Sequence, residues 1–149
     1  MSAQWPKRDH TRNCFLLPNE LFSLGLEAGE IAVYSYLLRY ENRESYQCWP
    51  SCETIGKAVR MSKKTVRKYV AMLEDKRLIT TEQTTVQRHD GRKQNGNLLY
   101  TIRPIREAAE CFHARQMAKL ERATAIHNAK VLAEKRGAEF HPADTEQTG

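Results

Sequence analysis

No apolar run in this chain approaches the roughly 18 residues that cross a bilayer, and none is expected to span a membrane. The first residues, MSAQWPKRDHTRNC, lack the apolar centre of a secretory signal. The four cysteines, Cys14, Cys48, Cys52 and Cys111, are scattered without paired spacing. Reduced thiols in a cytoplasmic protein are the expectation. A zinc site would need a second Cys or His pair at matching spacing. His89 and His113 are the nearest histidines and make no pair, so neither metal nor cofactor is expected. His113 and His127 are not four apart and read as ordinary surface or interface residues. There is no Gly-rich phosphate loop, no nucleophile elbow and no recognisable pair of catalytic acids, which argues against an enzyme. No internal repeat is found.

What the chain has is positive charge in one place. It holds 24 Lys and Arg against 18 Asp and Glu, a net charge of +6 over 149 residues, with pI near 9.3. Between residues 57 and 77, eight cations (Lys57, Arg60, Lys63, Lys64, Arg67, Lys68, Lys76 and Arg77) face only Glu74 and Asp75. That surplus equals the net charge of the whole protein, so the remainder is close to neutral. Cations concentrated on one element suit a polyanion.

The pattern along the chain divides it into four parts. Residues 1–13, with Lys7, Arg8, His10 and Arg12, read as a flexible basic arm, either disordered or touching DNA. Residues 14–22, CFLLPNELF, are apolar around Pro18. Phe15, Leu16, Leu17, Leu21 and Phe22 are expected to pack under the next helix, with one short helical turn near Leu21. Residues 27–40 are the first clear helix, with Ile31, Tyr34, Leu37 and Leu38 on its buried face and Leu26 adding to the core. A polar loop, 41–47, leads to a short strand near 47–49.

Ser51 and Ser62 are both good helix N-caps. They predict helices from 52 to about 59 and from 63 onward, joined by a turn at Arg60 and Met61. Cys52, Ile55, Ala58 and Val59 make the first apolar stripe. Val66, Tyr69, Val70 and Leu73 make the second, at i, i+3, i+4 and i+7. Residues 78–87 and 97–102 read as strands, with RHDGRKQNG between them as the turn. From 105 to 136 the sequence is a strong, alanine-rich helix former, with Gly137 as its stop. Residues 137–149 read as a disordered tail.

Helix, short strand, helix, tight turn, helix, hairpin is the order of a winged helix-turn-helix. The fold expected is mainly α with a small β-hairpin: a domain over 14–103, followed by a long C-terminal helix over 104–136. In such a fold the third helix enters the DNA major groove by its N-terminal residues. Here those residues are Ser62, Lys63, Lys64, Thr65, Arg67 and Lys68. Lys63 and Lys64 oppose the helix dipole at a cost of about a few tenths of a kcal/mol, which points to a ligand that offsets it. Arg67 and Lys64 are the candidates for guanine edges, and Thr65 for a thymine methyl. Lys57, Arg60, Lys68 and the hairpin cations Arg88, Arg92 and Lys93 are candidates for phosphate.

The run from LLPNELF through WPSCETIGKA to SKKTVRKYVAMLEDKRLI resembles the N-terminal winged-helix domain of replication initiator A proteins. It is also similar to related helix-turn-helix proteins of plasmids, phages and integrative elements. The resemblance covers residues 15–102. It implies double-stranded DNA as partner and a mobile-element setting, without deciding replication against transcription. Arg60 stands where many relatives have glycine. The initiators continue into a further domain, where this chain offers one helix and a tail. Three uses of that helix compete: packing on the winged domain near 105–112, pairing with a second copy as a homodimer, or docking on a replication or transfer protein. The leading expectation is a sequence-specific regulator of a mobile element, and the alternative is a replication accessory that recruits a partner. A basic helix face that serves only protein contacts is the third.

Overall fold

The computed structural model describes Lys7 and residues 12–139. The expected arm therefore lies outside the described residues except at Lys7, Arg12 and Asn13, as does the expected tail beyond 139. The chain divides into two compact units, one ending at Cys111 and one beginning at Phe112.

The first unit opens with a 3-10 turn, Asn19–Ser23, followed by α1, Ala28–Tyr40. Glu27 and Glu30 form a reciprocal capping box at the start of α1, which satisfies two otherwise free N–H groups. The buried face of α1 is Gly29, Glu30, Val33, Tyr34 and Leu37. Ile31 and Leu38, expected in that stripe, are only half-buried. Val33 and Glu30 take the inner positions instead. The apolar segment 14–22 also departs from expectation. Leu21 is fully buried, but Phe15, Leu16 and Phe22 are exposed, Leu16 at 91%. In a 3-10 turn side chains three apart share a face, so Leu21 and Leu24 go inward together and Phe22 goes outward.

The two-residue strand β1, Gln47–Cys48, leads to α2, Cys52–Val59, and α3, Lys63–Asp75. Strands β2, Ile79–Gln87, and β3, Lys93–Ile102, complete an antiparallel sheet ordered β1-β3-β2. Gln47 pairs with Thr101 and Cys48 with Tyr100. Strand β3 begins four residues earlier than expected. Asn95–Gly96 is not the turn but part of the strand, where the register shifts between Gln83 and Thr85. The pairs Gln83 with Leu98 and Thr85 with Asn95 leave Gly96 and Asn97 opposite Thr84 alone. That bulge absorbs the glycine the sequence offered as a turn former.

The core combines Leu21, Val33, Leu37, Ile55, Val66, Leu73, Leu78, Ile79 and Tyr100, all fully buried. One charged side chain lies among them. Glu30 is completely buried and accepts from Lys76 Nζ at 2.7 and 3.0 Å and from the Glu27 N–H at 3.1 Å. This pair ties the start of α1 to the end of α3. Lys76 is thereby committed to the core and leaves the pool of eight cations.

The last helix, α4, spans Ile105–Glu139. Ala108 is buried within the first unit, which accords with one of the three uses weighed for this helix, packing on the winged domain near 105–112. From residue 112 the second unit is helical through 139. Gly137 does not end the helix: strong helix formers surround it, and a glycine interior to a helix costs only about 1 kcal/mol.

A candidate nucleic-acid interface on the second and third helices

The geometry between α2 and α3 is set by two serines, one left-handed residue and one buried glycine. Ser51 Oγ accepts from the Thr54 N–H at 3.0 Å, and Ser62 Oγ accepts from the Thr65 N–H at 3.2 Å. Both serines begin a helix as expected. Arg60 ends α2 with φ 57° and ψ 52°, in the left-handed region. That conformation costs an L-residue roughly 1–2 kcal/mol, which is why glycine suits the position. The Met61 N–H then donates to the Gly56 carbonyl at 2.9 Å. A Cβ on Gly56 would collide with the Met61 carbonyl oxygen, so this buried glycine is what lets the turn close. Ala58, expected in the apolar stripe, is exposed instead.

Helix α3 carries its two faces as the sequence implied. Val66, Val70 and Leu73 are buried and Tyr69 is half-buried. Lys63, Lys64, Arg67 and Lys68 are exposed. Thr65 is half-buried, and its hydroxyl lies 2.8 Å from Ser62 Oγ. The polar ends of these two side chains thus serve the cap. Lys68 Nζ sits 5.2 Å from the Tyr69 ring centre. Arg67 lies close enough to the buried Tyr100 hydroxyl to counter, in part, the burial that pushes that phenol above its ordinary range.

Glu53 was missed by counting charge only from residue 57. Its carboxylate meets Lys57 at 3.3 Å and Lys63 at 3.5 Å. Hydrogen bonding to Lys57, then the charge of Lys63, holds it below the usual carboxylate range. The spacing from Glu53 to Lys57, four residues on one helix, was the available signal. Glu53 also offsets part of the dipole cost of Lys63 that the sequence left to a ligand. Lys64, Arg67 and Arg60 have no carboxylate partner among the described residues.

The hairpin tip is short and fully exposed. The Arg88 N–H donates to the Arg92 carbonyl at 2.9 Å, and the Gly91 N–H to the Arg88 carbonyl at 3.0 Å. Gly91 supplies the positive φ of 79°. Asp90 accepts from the Arg92 N–H at 3.1 Å. Arg88 and Arg92 lie on this loop, while Lys93 is the first residue of β3, opposite Gln87.

The cysteines are otherwise engaged. Cys48 Sγ donates to the Leu37 carbonyl at 3.6 Å, and Cys52 Sγ lies 3.8 Å from the Tyr100 hydroxyl. None of the four cysteines is in a disulfide among the described residues. No group of three or more His, Cys, Asp or Glu among the described residues is placed to hold a metal.

A helix, turn and helix with a β-hairpin wing define a winged helix-turn-helix. Consistent with that, residues 24–79 match the family model of a helix-turn-helix domain. No curated protein matches this sequence. Among solved structures, the chain is similar to a possible transcriptional regulator from Methanosarcina mazei Go1, at 18% identity. That likeness covers 76% of this chain and 82% of the other, with a TM-score of 0.44. It is similar also to MepR of S. aureus in a DNA complex, at 14% identity over 80% and 85% of the two chains, TM-score 0.42. A third likeness is to Lactococcus lactis ZitR, at 16% identity over 85% and 76%, TM-score 0.38.

Proposed function

We propose that this chain binds double-stranded DNA through the N-terminal half of α3 and acts as a sequence-specific transcriptional regulator of a mobile genetic element. The observation that carries the reading is the division of α3. Three valine and leucine side chains are buried on one side, while Lys63, Lys64, Arg67 and Lys68 are exposed on the other. The helix-turn-helix family match supports it. Arg67 and Lys64 then read base edges, and Lys57, Arg60, Lys68, Arg88, Arg92 and Lys93 hold phosphates. Catalysis has no part in this reading. The mobile-element setting rests on the resemblance of residues 15–102 to plasmid and phage proteins, since the matching family is the broader helix-turn-helix domain.

The second reading is a replication accessory that holds DNA loosely and recruits a partner by α4. Exposed Met117, Leu120 and Leu132 on that helix favour some partner, either a second copy or a replication or transfer protein. Selection from random duplex DNA at about 150 mM salt separates the readings. An enriched motif, lost in a variant with Lys63→Ala, Lys64→Ala and Arg67→Ala, is the outcome expected. Retention without an enriched sequence supports the accessory role. No retention even at low salt removes both.

A further inference from the structure

Glu41 is the C-cap of α1, and its Oε2 is buried with no hydrogen-bond partner. Three separate cavities of the first unit each include this residue in their walls. One of them, between α1, the loop after it and the start of α4, has a volume of about 410 Å³. Tyr34, Leu38 and Glu41 line it from one face of α1, at i, i+4 and i+7, and Tyr46, Ile102 and Ile105 close it. The lining is mostly apolar, with one acceptor that lacks a donor.

An orphaned acceptor in such a setting is costly. Burial lifts the Glu41 carboxyl above its ordinary range, and the C-terminal end of α1 is itself the negative pole of the helix. A positive group beside Glu41 would relieve both effects, holding the carboxylate ionised against its burial. None of the neighbouring guanidiniums, Arg39, Arg43 and Arg103, donates to Glu41 Oε2. Arg103, which also borders the cavity, is bound to Glu107 at 2.8 and 3.1 Å. Arg39 lies over the Tyr40 ring at 4.6 Å. An aromatic ring beside a carboxylate is the chemistry that holds organic cations, and a cavity of this size takes a small molecule.

We propose that this cavity binds a small organic cation, an ammonium on an aromatic or branched aliphatic body, with Glu41 as counter-ion and Tyr34 and Tyr46 as aromatic walls. The ammonium donates to Glu41 Oε2 and sits against the last carbonyls of α1. The apolar body fills the space along Leu38, Ile102 and Ile105.

The test is a titration of the full-length, 15N-labelled protein at neutral pH with benzylamine, and in parallel with phenylacetate, which has a similar body and the opposite charge. The result expected is saturable amide shifts at Tyr34, Glu41, Tyr46 and Ile105 with benzylamine alone, at a Kd on the order of 1 mM for so small a probe. Glu41→Gln weakens that binding by about tenfold or more. The proposal is overturned by an absence of saturable shifts, which would leave the cavity to water. Equal response to the two probes, or undiminished binding in Glu41→Gln, overturns it as well. The probe comparison uses the unaltered protein, so it decides the matter even where the variant folds poorly.

Discussion

At residue 53 one carboxylate holds two of the cations that the face would offer to DNA. Lys57 and Lys63 meet a phosphate only by sharing or leaving Glu53. On the proposed DNA-binding reading, this arrangement gives up non-specific affinity while leaving Lys64 and Arg67 outside the Glu53 pairing. Glu53→Gln is therefore expected to raise affinity for random duplex by about three- to tenfold at low salt and to steepen the salt slope by about 1 to 2. In a Lys57→Ala, Lys63→Ala background the same change is expected to do nothing, and an unaltered slope in the single variant would refute this account. Arg60 works in the opposite sense. Its left-handed backbone is strained, so Arg60→Gly is expected to stabilise the fold by up to about 1 kcal/mol. It also removes one of the proposed phosphate contacts. Urea denaturation beside a DNA titration should show stability rising as affinity falls.

Between elements, the join of α1 to α3 depends on an ion pair inside the core. Lys76→Met leaves Glu30 buried and charged without its partner, and is expected to destabilise the fold by about 3 kcal/mol. A shift of less than about 1 kcal/mol in urea would show that Glu30 finds another donor. The sequence disclosed the elements better than it disclosed this join. Ser51, Ser62 and the Val66–Tyr69–Val70–Leu73 stripe were legible because caps and helical periodicity are local. The Glu30–Lys76 contact spans 46 residues and leaves no local trace. Glu30 is also a first-turn acid, in the capping box at the start of α1. Asn95–Gly96 misled for a related reason: the pair is a strong turn former by itself, and only the pairing with β2 keeps Asn95 in register and puts Gly96 in a bulge. The positions of the candidate DNA-contacting cations were readable, whereas their pairing with Glu53 required the fold.

For the molecule as a whole, the buried phenols and thiol set an alkaline limit. Burial pushes Tyr34 from 10.0 up to about 12 and Cys48 from 9.0 up to about 11, and raises Tyr100 as well. The folded state therefore keeps protons that the unfolded chain releases. This contribution is whole below about pH 9 and is lost as pH rises through the folded values. Urea midpoints are expected to fall from pH 9 towards 12, and Tyr34→Phe to flatten the decline. Assembly also belongs to this scale. If Met117 and Leu120 seat a second copy, the solution mass is twice 17.2 kDa, and Met117→Glu with Leu120→Glu returns it to the monomer value. The sheet, finally, governs timing. Strand β1 finds its partner only in β3, with Gln47 and Thr101 separated by 54 positions. Every residue assigned a DNA contact under the proposed function lies in the sequence between β1 and the end of β3 that pairs with it, at Tyr100 and Thr101. Helices as short as α2 and α3 are marginal in isolation, and the sheet that clasps them needs its most distant strand before it can close. Competence to bind is then expected to appear in one step, once residue 102 is free to pair.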